Sequence, residues 1–165
     1  MLEPRIEQDY FNSMMTQALD EAHLAALRNE VPVGCVIARD GKIIARAGNS
    51  PIANCDPSAH AEILALRQAG QSLGNYRLIN CDLFVTLEPC LMCSGAMVHA
   101  RLSRVVYGAS DPKTGAAGSV FDGLTSSLHN HRVEVVGGVL ADQCSEQLAQ
   151  FFKARRQRKK QSKCH

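Results

Sequence analysis

Residues 83–108 read LFVTLEPCLMCSGAMVHARLSRVVYG, and the fold follows from them. LFVTL (83–87) is a short apolar strand, CLMCSGAMVHAR (90–101) is a helix and RVVYG (104–108) is a second strand. Strand, helix and strand at this spacing make a βαβ unit with parallel strands. Upstream, VGCVIA (33–38) and KIIARAG (42–48) flank Asp40-Gly41, the turn pair of a tight antiparallel hairpin. Asp56-Pro57-Ser58 then offers helix-start chemistry, which predicts a helix over 58–70 stopping at Gly70. At the N-terminal side, Phe11, Met15, Ala18, Ala22 and Ala26 form one stripe of a helix over 7–29, with Met14 and Leu19 beside it. Downstream, 109–131 is a long loop, 133–139 a fifth strand and 142–158 a helix with Cys144, Leu148, Phe151 and Phe152 on its apolar face. The pattern predicts a single α/β domain over 1–165, a three-layer α/β/α sandwich around a mixed sheet of about five strands.

Apolar residues make up 45% and charged residues 21% of the 165 positions, an ordinary globular composition. No apolar run reaches membrane-span length, and the first residues lack the pattern of a secretion signal, so the expected compartment is cytoplasmic. The net charge of +2 conceals an asymmetry. Residues 153–163 carry seven of the eighteen basic residues and no acid, leaving eleven basic against sixteen acidic elsewhere. A basic helix or tail over 153–165, including Arg155, Arg156, Arg158, Lys159 and Lys160, suits an anionic partner such as an RNA backbone. A solvated helix end is the plain alternative.

Of seven cysteines, Cys35 and Cys81 lie in or beside apolar runs and read as small buried hydrophobes, while Cys55, Cys144 and Cys164 have no assigned role. Cys90 and Cys93 differ, because i and i+3 share one helical face and both sulfurs can reach one ion. They open a helix, where the dipole favours thiolate, and His60 opens another. Two such helix starts can converge beyond the carboxyl ends of the strands. His60, Cys90 and Cys93 thus form a three-ligand zinc set with one position open, the pattern of a catalytic site. Glu62 is off the ligating face and is placed to move a proton to and from water at that position. Glu88 reads as a structural polar group nearby. A closed structural site would require His129 or His131 as a fourth ligand, and a thioredoxin-like redox reading of Cys90-Leu-Met-Cys93 leaves His60 and Glu62 idle. A noncatalytic, zinc-stabilised RNA-binding module also leaves Glu62 idle.

His-Ala-Glu followed by Pro-Cys-x-x-Cys is the signature of the cytidine deaminase superfamily. More narrowly, VPVGCVIARDGKIIARAGNSPI (31–52), DPSAHAEILALRQAG (56–70), NYRLINCDLFVTLEPCLMCSGAMVHARLSRVVYGASDPKTGAAGS (75–119) and NHRVEVVGGVLADQC (130–144) resemble the bacterial tRNA adenosine deaminases. Ala-Ser-Asp-Pro at 109–112 departs modestly from the usual wording of that family. The resemblance implies a cytidine deaminase-like fold, one Zn2+ per subunit, a homodimer, and hydrolytic conversion of adenosine to inosine at wobble position 34 of an arginine tRNA. It assigns His60, Cys90 and Cys93 to the metal and Glu62 to proton transfer. By position it assigns Asn49 and Asp111 to the substrate nucleotides, and Asn130 and His131 to the anticodon stem-loop. A deaminase of a free base or nucleotide, guanine or deoxycytidylate, is the alternative the metal set allows, although it leaves the basic tail unexplained.

Overall fold

The computed structural model describes residues 4–162; Lys163 of the basic run and Cys164 lie outside the described residues. The elements are α1 (Pro4–Leu27), β1 (Gly34–Arg39), β2 (Lys42–Gly48), α2 (Pro51–Asn54), α3 (Ala61–Leu73), β3 (Cys81–Leu87), α4 (Leu91–His99), β4 (Arg104–Ala109), β5 (Glu134–Val136) and α5 (Ala141–Ser162). One five-stranded sheet runs in the order β2-β1-β3-β4-β5. β1 pairs antiparallel with both β2 and β3, whereas β3–β4 and β4–β5 are parallel, so the sheet is mixed as expected. Asp40 and Gly41 take φ of 51° and 73°, the left-handed pair that a two-residue hairpin turn requires.

Alternation along the strands divides the core. Cys35, Ile37, Leu83, Val85 and Val105 face Ala61, Ala65, Ala69, Cys93 and Met97 of α3 and α4. Val36, Ala38, Phe84 and Val106 face Phe11, Met15 and Ala18 of α1 and Cys144 of α5. Two helical layers thus enclose the sheet, each burying one apolar stripe. The approach of α1 is closest at Gly34, where an added Cβ would stand 1.9 Å from the Ala18 carbonyl oxygen and 2.4 Å from the Ala22 nitrogen. No helix among the described residues is long and apolar enough to cross a membrane.

Several boundaries differ from the sequence reading. α3 begins at Ala61 instead of 58, because Asp56 Oδ1 accepts from the Ser58 N–H (2.8 Å) and hydroxyl (2.7 Å), closing a local turn before the helix. It passes through Gly70 and ends at Leu73 on Gly74, whose φ of 62° suits a C-terminal glycine. The short helix α2 lies where the sequence reading has only loop. The fifth strand shrinks to Glu134–Val136. In α1 the innermost alanine of the last turns is Ala25, not Ala26. Phe151 is buried in α5, whereas Phe152 stays 39% exposed with its ring packed edge-on against Phe151.

Candidate metal-dependent active site

β2 and β3 both lie antiparallel to β1, so their carboxyl ends fall at the same edge, and the chain enters α3 and α4 from that edge. His60 is the N-cap residue of α3 and Cys90 that of α4, both in extended conformation. Neither caps its helix with its own side chain. At α3 a different residue does so: buried Asn49 accepts the Ala61 N–H through Oδ1 at 2.9 Å. The cap is therefore supplied from twelve residues upstream, leaving the imidazole of His60 free.

His60 Nδ1 lies 3.7 Å from Cys90 Sγ and 3.6 Å from Cys93 Sγ, and the two sulfurs are 3.8 Å apart. Zinc bond lengths of about 2.3 Å to sulfur and about 2.0 Å to nitrogen, at tetrahedral angles, separate two sulfurs by about 3.8 Å and sulfur from nitrogen by about 3.5 Å. The donor triangle therefore has the dimensions of three ligands on one tetrahedral ion, and these residues could hold a metal. His129 Nε2 is hydrogen-bonded to the Gly123 carbonyl and His131 Nε2 to that of Leu102, so neither completes a closed site. Hydrogen bonds from Cys93 and then His60 pull the Cys90 thiol down to about 4. Cys93 is pushed well above the usual thiol range, first because it donates to Cys90 and then by burial. A cation held by both sulfurs would take the place of that shared proton.

Glu62 is 3% exposed, and its Oε2 has no hydrogen-bond partner among the described residues. Burial raises its carboxyl to about 7, against the opposing pull of its own backbone N–H and the His60 charge. A carboxyl so placed beside the donor set could both accept and release a proton near neutral pH. Cys35, buried beneath, has its thiol raised by burial and then by the nearby Glu62 carboxylate, and so stays an uncharged core residue.

Two further buried carboxylates hold loops at this edge. Glu30 accepts the Ala53 N–H (2.8 Å), tying α2 and the Asn49 loop to the end of α1. Glu88 accepts from the backbone of Asp111, Ala117 and Ser119 and from the Ser119 hydroxyl. Burial opposes its ionisation, but these hydrogen bonds prevail and hold its carboxyl below the usual range. Asp111 turns inward on its own loop, accepting from Lys113 N, Thr114 N and the Thr114 hydroxyl.

Not every residue singled out in the sequence meets the cluster. Asn130 Oδ1 accepts from Arg101 Nη1 (3.1 Å), and His131 bonds the Leu102 carbonyl at 2.7 Å. Both therefore sit at the carboxyl end of α4, a nine-residue helix whose other end carries Cys90. The basic residues extend α5 as continuous helix to Ser162. Arg158 Nη1 donates to Asn29 Oδ1 (2.9 Å), and Arg155, Arg158 and Lys159 line a groove of about 420 Å³ with Asn29 and Ile52. Ile52 belongs to α2, three residues beyond Asn49, so the basic run borders the loop that starts α3. Glu30 escapes a reading of the sequence, since a lone acid at a helix end carries no local sign of its partner.

Helix-start ligands of the type His and Cys-x-x-Cys, accompanied by a glutamate that does not ligate, characterise the nucleobase deaminases, and the geometry defines that class. A family model described as MafB19-like deaminase matches residues 9–156, and the chain belongs to that family. A tRNA-specific adenosine deaminase of Haemophilus influenzae is 47% identical over 157 residues, covering 94% of this chain and 91% of the relative. One of Bacillus subtilis is 44% identical over 146 residues, covering 88% and 91%. A solved structure from work on A-to-I editing by tRNA:A34 deaminases at the wobble position superposes with a TM-score of 0.76. It is 42% identical and covers 82% of this chain and 98% of that one.

Proposed function

We propose that this deaminase hydrolyses adenosine to inosine at wobble position 34 of tRNA, an arginine tRNA foremost, with one zinc ion per subunit. The observation that carries the chemistry is the donor triangle of His60, Cys90 and Cys93 with buried Glu62 beside it. The tRNA substrate is supported by the names of relatives 44% and 47% identical over most of the chain. Zinc held by the three residues would supply the Lewis acidity that makes water a nucleophile near neutral pH. Glu62 takes a proton from the attacking water and passes it to N1 of the adenine. It then takes the remaining proton from the hydroxyl added at C6 and delivers it to the exocyclic amine, so that the C6–N bond breaks, ammonia leaves and C6 becomes the carbonyl of inosine. A carboxyl raised to about 7 suits both directions of transfer. Asn49 already spends Oδ1 on Ala61, which leaves Nδ2 to donate to the substrate nucleotide. The Asp111 loop flanks the base, and Arg155, Arg156, Arg158, Lys159 and Lys160 bind phosphates. Asn130 and His131 meet the anticodon stem-loop away from the metal.

A homodimer fits the surface as well. Leu91 and Met92 at the start of α4 are exposed, and an apolar groove of about 720 Å³ between α3 and α4 is bordered by Tyr76 and His99. Sedimentation at micromolar concentration reports on this directly. The functional test is incubation with tRNA, guanine and deoxycytidylate in parallel. Inosine and ammonia from tRNA alone support the reading; turnover of a free base or nucleotide without tRNA turnover replaces it.

A further inference from the structure

Glu88 stands two residues before Cys90, yet its carboxylate faces a segment that begins twenty-three residues later. Oε2 accepts the Asp111 N–H at 2.9 Å and the Ser119 hydroxyl, while Oε1 accepts the N–H groups of Ala117 and Ser119 at 3.0 Å each. The adjoining backbone adds two more ties, Glu88 N to the Ala109 carbonyl and Ala116 N to the Pro89 carbonyl, both 2.8 Å. Gly115 lies flat against the carboxylate: an added Cβ would stand 2.5 Å from Glu88 Cδ and from Oε2. Beyond this anchor the chain closes a small turn. Val120 N and Phe121 N both donate to the Gly115 carbonyl, Gly118 N donates to the Phe121 carbonyl, and Ala117 bridges Asp122. Val120 and Phe121 are left about half exposed on that turn. One buried carboxylate thus wraps the 111–121 segment around the turn that leads into the metal ligands.

We propose that Glu88 is the positioning residue that registers the 111–121 loop to the metal-ligand turn, and that the loop so held offers Phe121 as a stacking surface for an RNA base flanking the target. This rests on the tRNA reading above. Exposed aromatics held on rigid turns are how single-stranded bases are bound with little sequence preference. A fixed loop also spares RNA the cost of ordering it on binding.

The test uses Glu88→Gln, Phe121→Ala and Ser119→Ala in the metal-loaded full chain. A glutamine amide nitrogen cannot accept the Asp111 N–H. Losing a hydrogen bond to a charged acceptor should speed exchange of that amide roughly tenfold to a hundredfold by NMR. Expected with it are a KM for tRNA raised at least tenfold, kcat within about threefold of wild type and unchanged metal content. Ser119→Ala should give a smaller change in the same direction and guards against a Glu88→Gln protein that fails to fold. Phe121→Ala should raise KM while Asp111 exchange stays as in wild type. The inference is overturned if Glu88→Gln leaves Asp111 exchange unchanged, or speeds it without moving KM, or lowers kcat alone. It is also overturned if Phe121→Ala binds tRNA as wild type does. Absence of tRNA turnover by the wild type would instead sink the functional reading, with Asp111 exchange still reporting on the loop.

Discussion

Replacing Asn49 by Ala removes the acceptor for the Ala61 N–H, the bond that starts α3 one residue after His60. Two costs follow. A missing helix cap is worth about 0.5–2 kcal/mol, and a buried N–H without a partner about 1–3 kcal/mol. They describe the same bond and are not summed, so the expected destabilisation is roughly 1–3 kcal/mol. For a chain of this size that corresponds to a Tm lower by roughly 2–12 °C. Asn49→Asp separates the two duties assigned to this side chain. A carboxylate keeps the acceptor and suits a helix N-terminus, so most of the Tm should return. It cannot donate as Nδ2 does, so kcat/KM for tRNA should stay low. Thermal unfolding of metal-loaded protein, with tRNA kinetics on the same samples, reads both effects. A Tm for Asn49→Ala within 1 °C of wild type would refute the capping argument. Full activity in Asn49→Asp would refute the donor role.

Gly34→Ala drives a Cβ into the backbone of α1 at Ala18 and Ala22. It should cost about 3 kcal/mol or prevent soluble folding, checked by denaturant titration. The folded-state pKa of Glu88 lies below its ordinary value of 4.5, so its stabilisation is present above that value and disappears as pH falls through the lower folded value. Glu88→Gln should therefore be less stable than wild type at neutral pH, and the gap should narrow under acid in parallel melts at pH 7 and pH 3. Replacing Arg155, Arg156, Arg158, Lys159 and Lys160 together by Ala should raise KM for tRNA and flatten its salt dependence, with saturating kcat little changed. The slope should fall by roughly 0.7 for each phosphate that the basic run neutralises in the wild type. Unchanged affinity at low and moderate salt would mark the run as a solvated helix end.

The parts of this structure that are readable in the sequence are those written locally. Asp40-Gly41 announces a hairpin because both residues tolerate positive φ, and the Cys90–Cys93 spacing announces a shared helical face. The apolar runs of β1 and β3 mark buried central strands. What escapes is carried by bonds between distant segments. Asp56 and Ser58 have cap chemistry but spend it on each other, while Asn49 caps α3 from across the loop. Glu30 looks like a surface acid in the sequence and Glu88 reads as a structural polar group without partners; each becomes a buried anchor when the backbone of α2 and of the 111–119 segment folds onto it. Asn130 and His131 carry side chains suited to RNA recognition. The turn after α4 engages Asn130 Oδ1 and His131 Nε2, and that turn has no signature in the H-N-H motif itself.

In the proposed reaction Glu62 moves protons at a metal it does not hold. Glu62→Gln keeps the size of the buried side chain while removing its titration. Inosine formed in tRNA and zinc bound per chain should be measured on the same preparation of this variant and of wild type. Wild type should form inosine with one zinc per chain, and Glu62→Gln should keep the zinc while forming inosine at least a thousandfold more slowly, roughly the upper range for a general acid–base residue. Near-normal inosine formation by the variant, or loss of its zinc, would contradict the assignment.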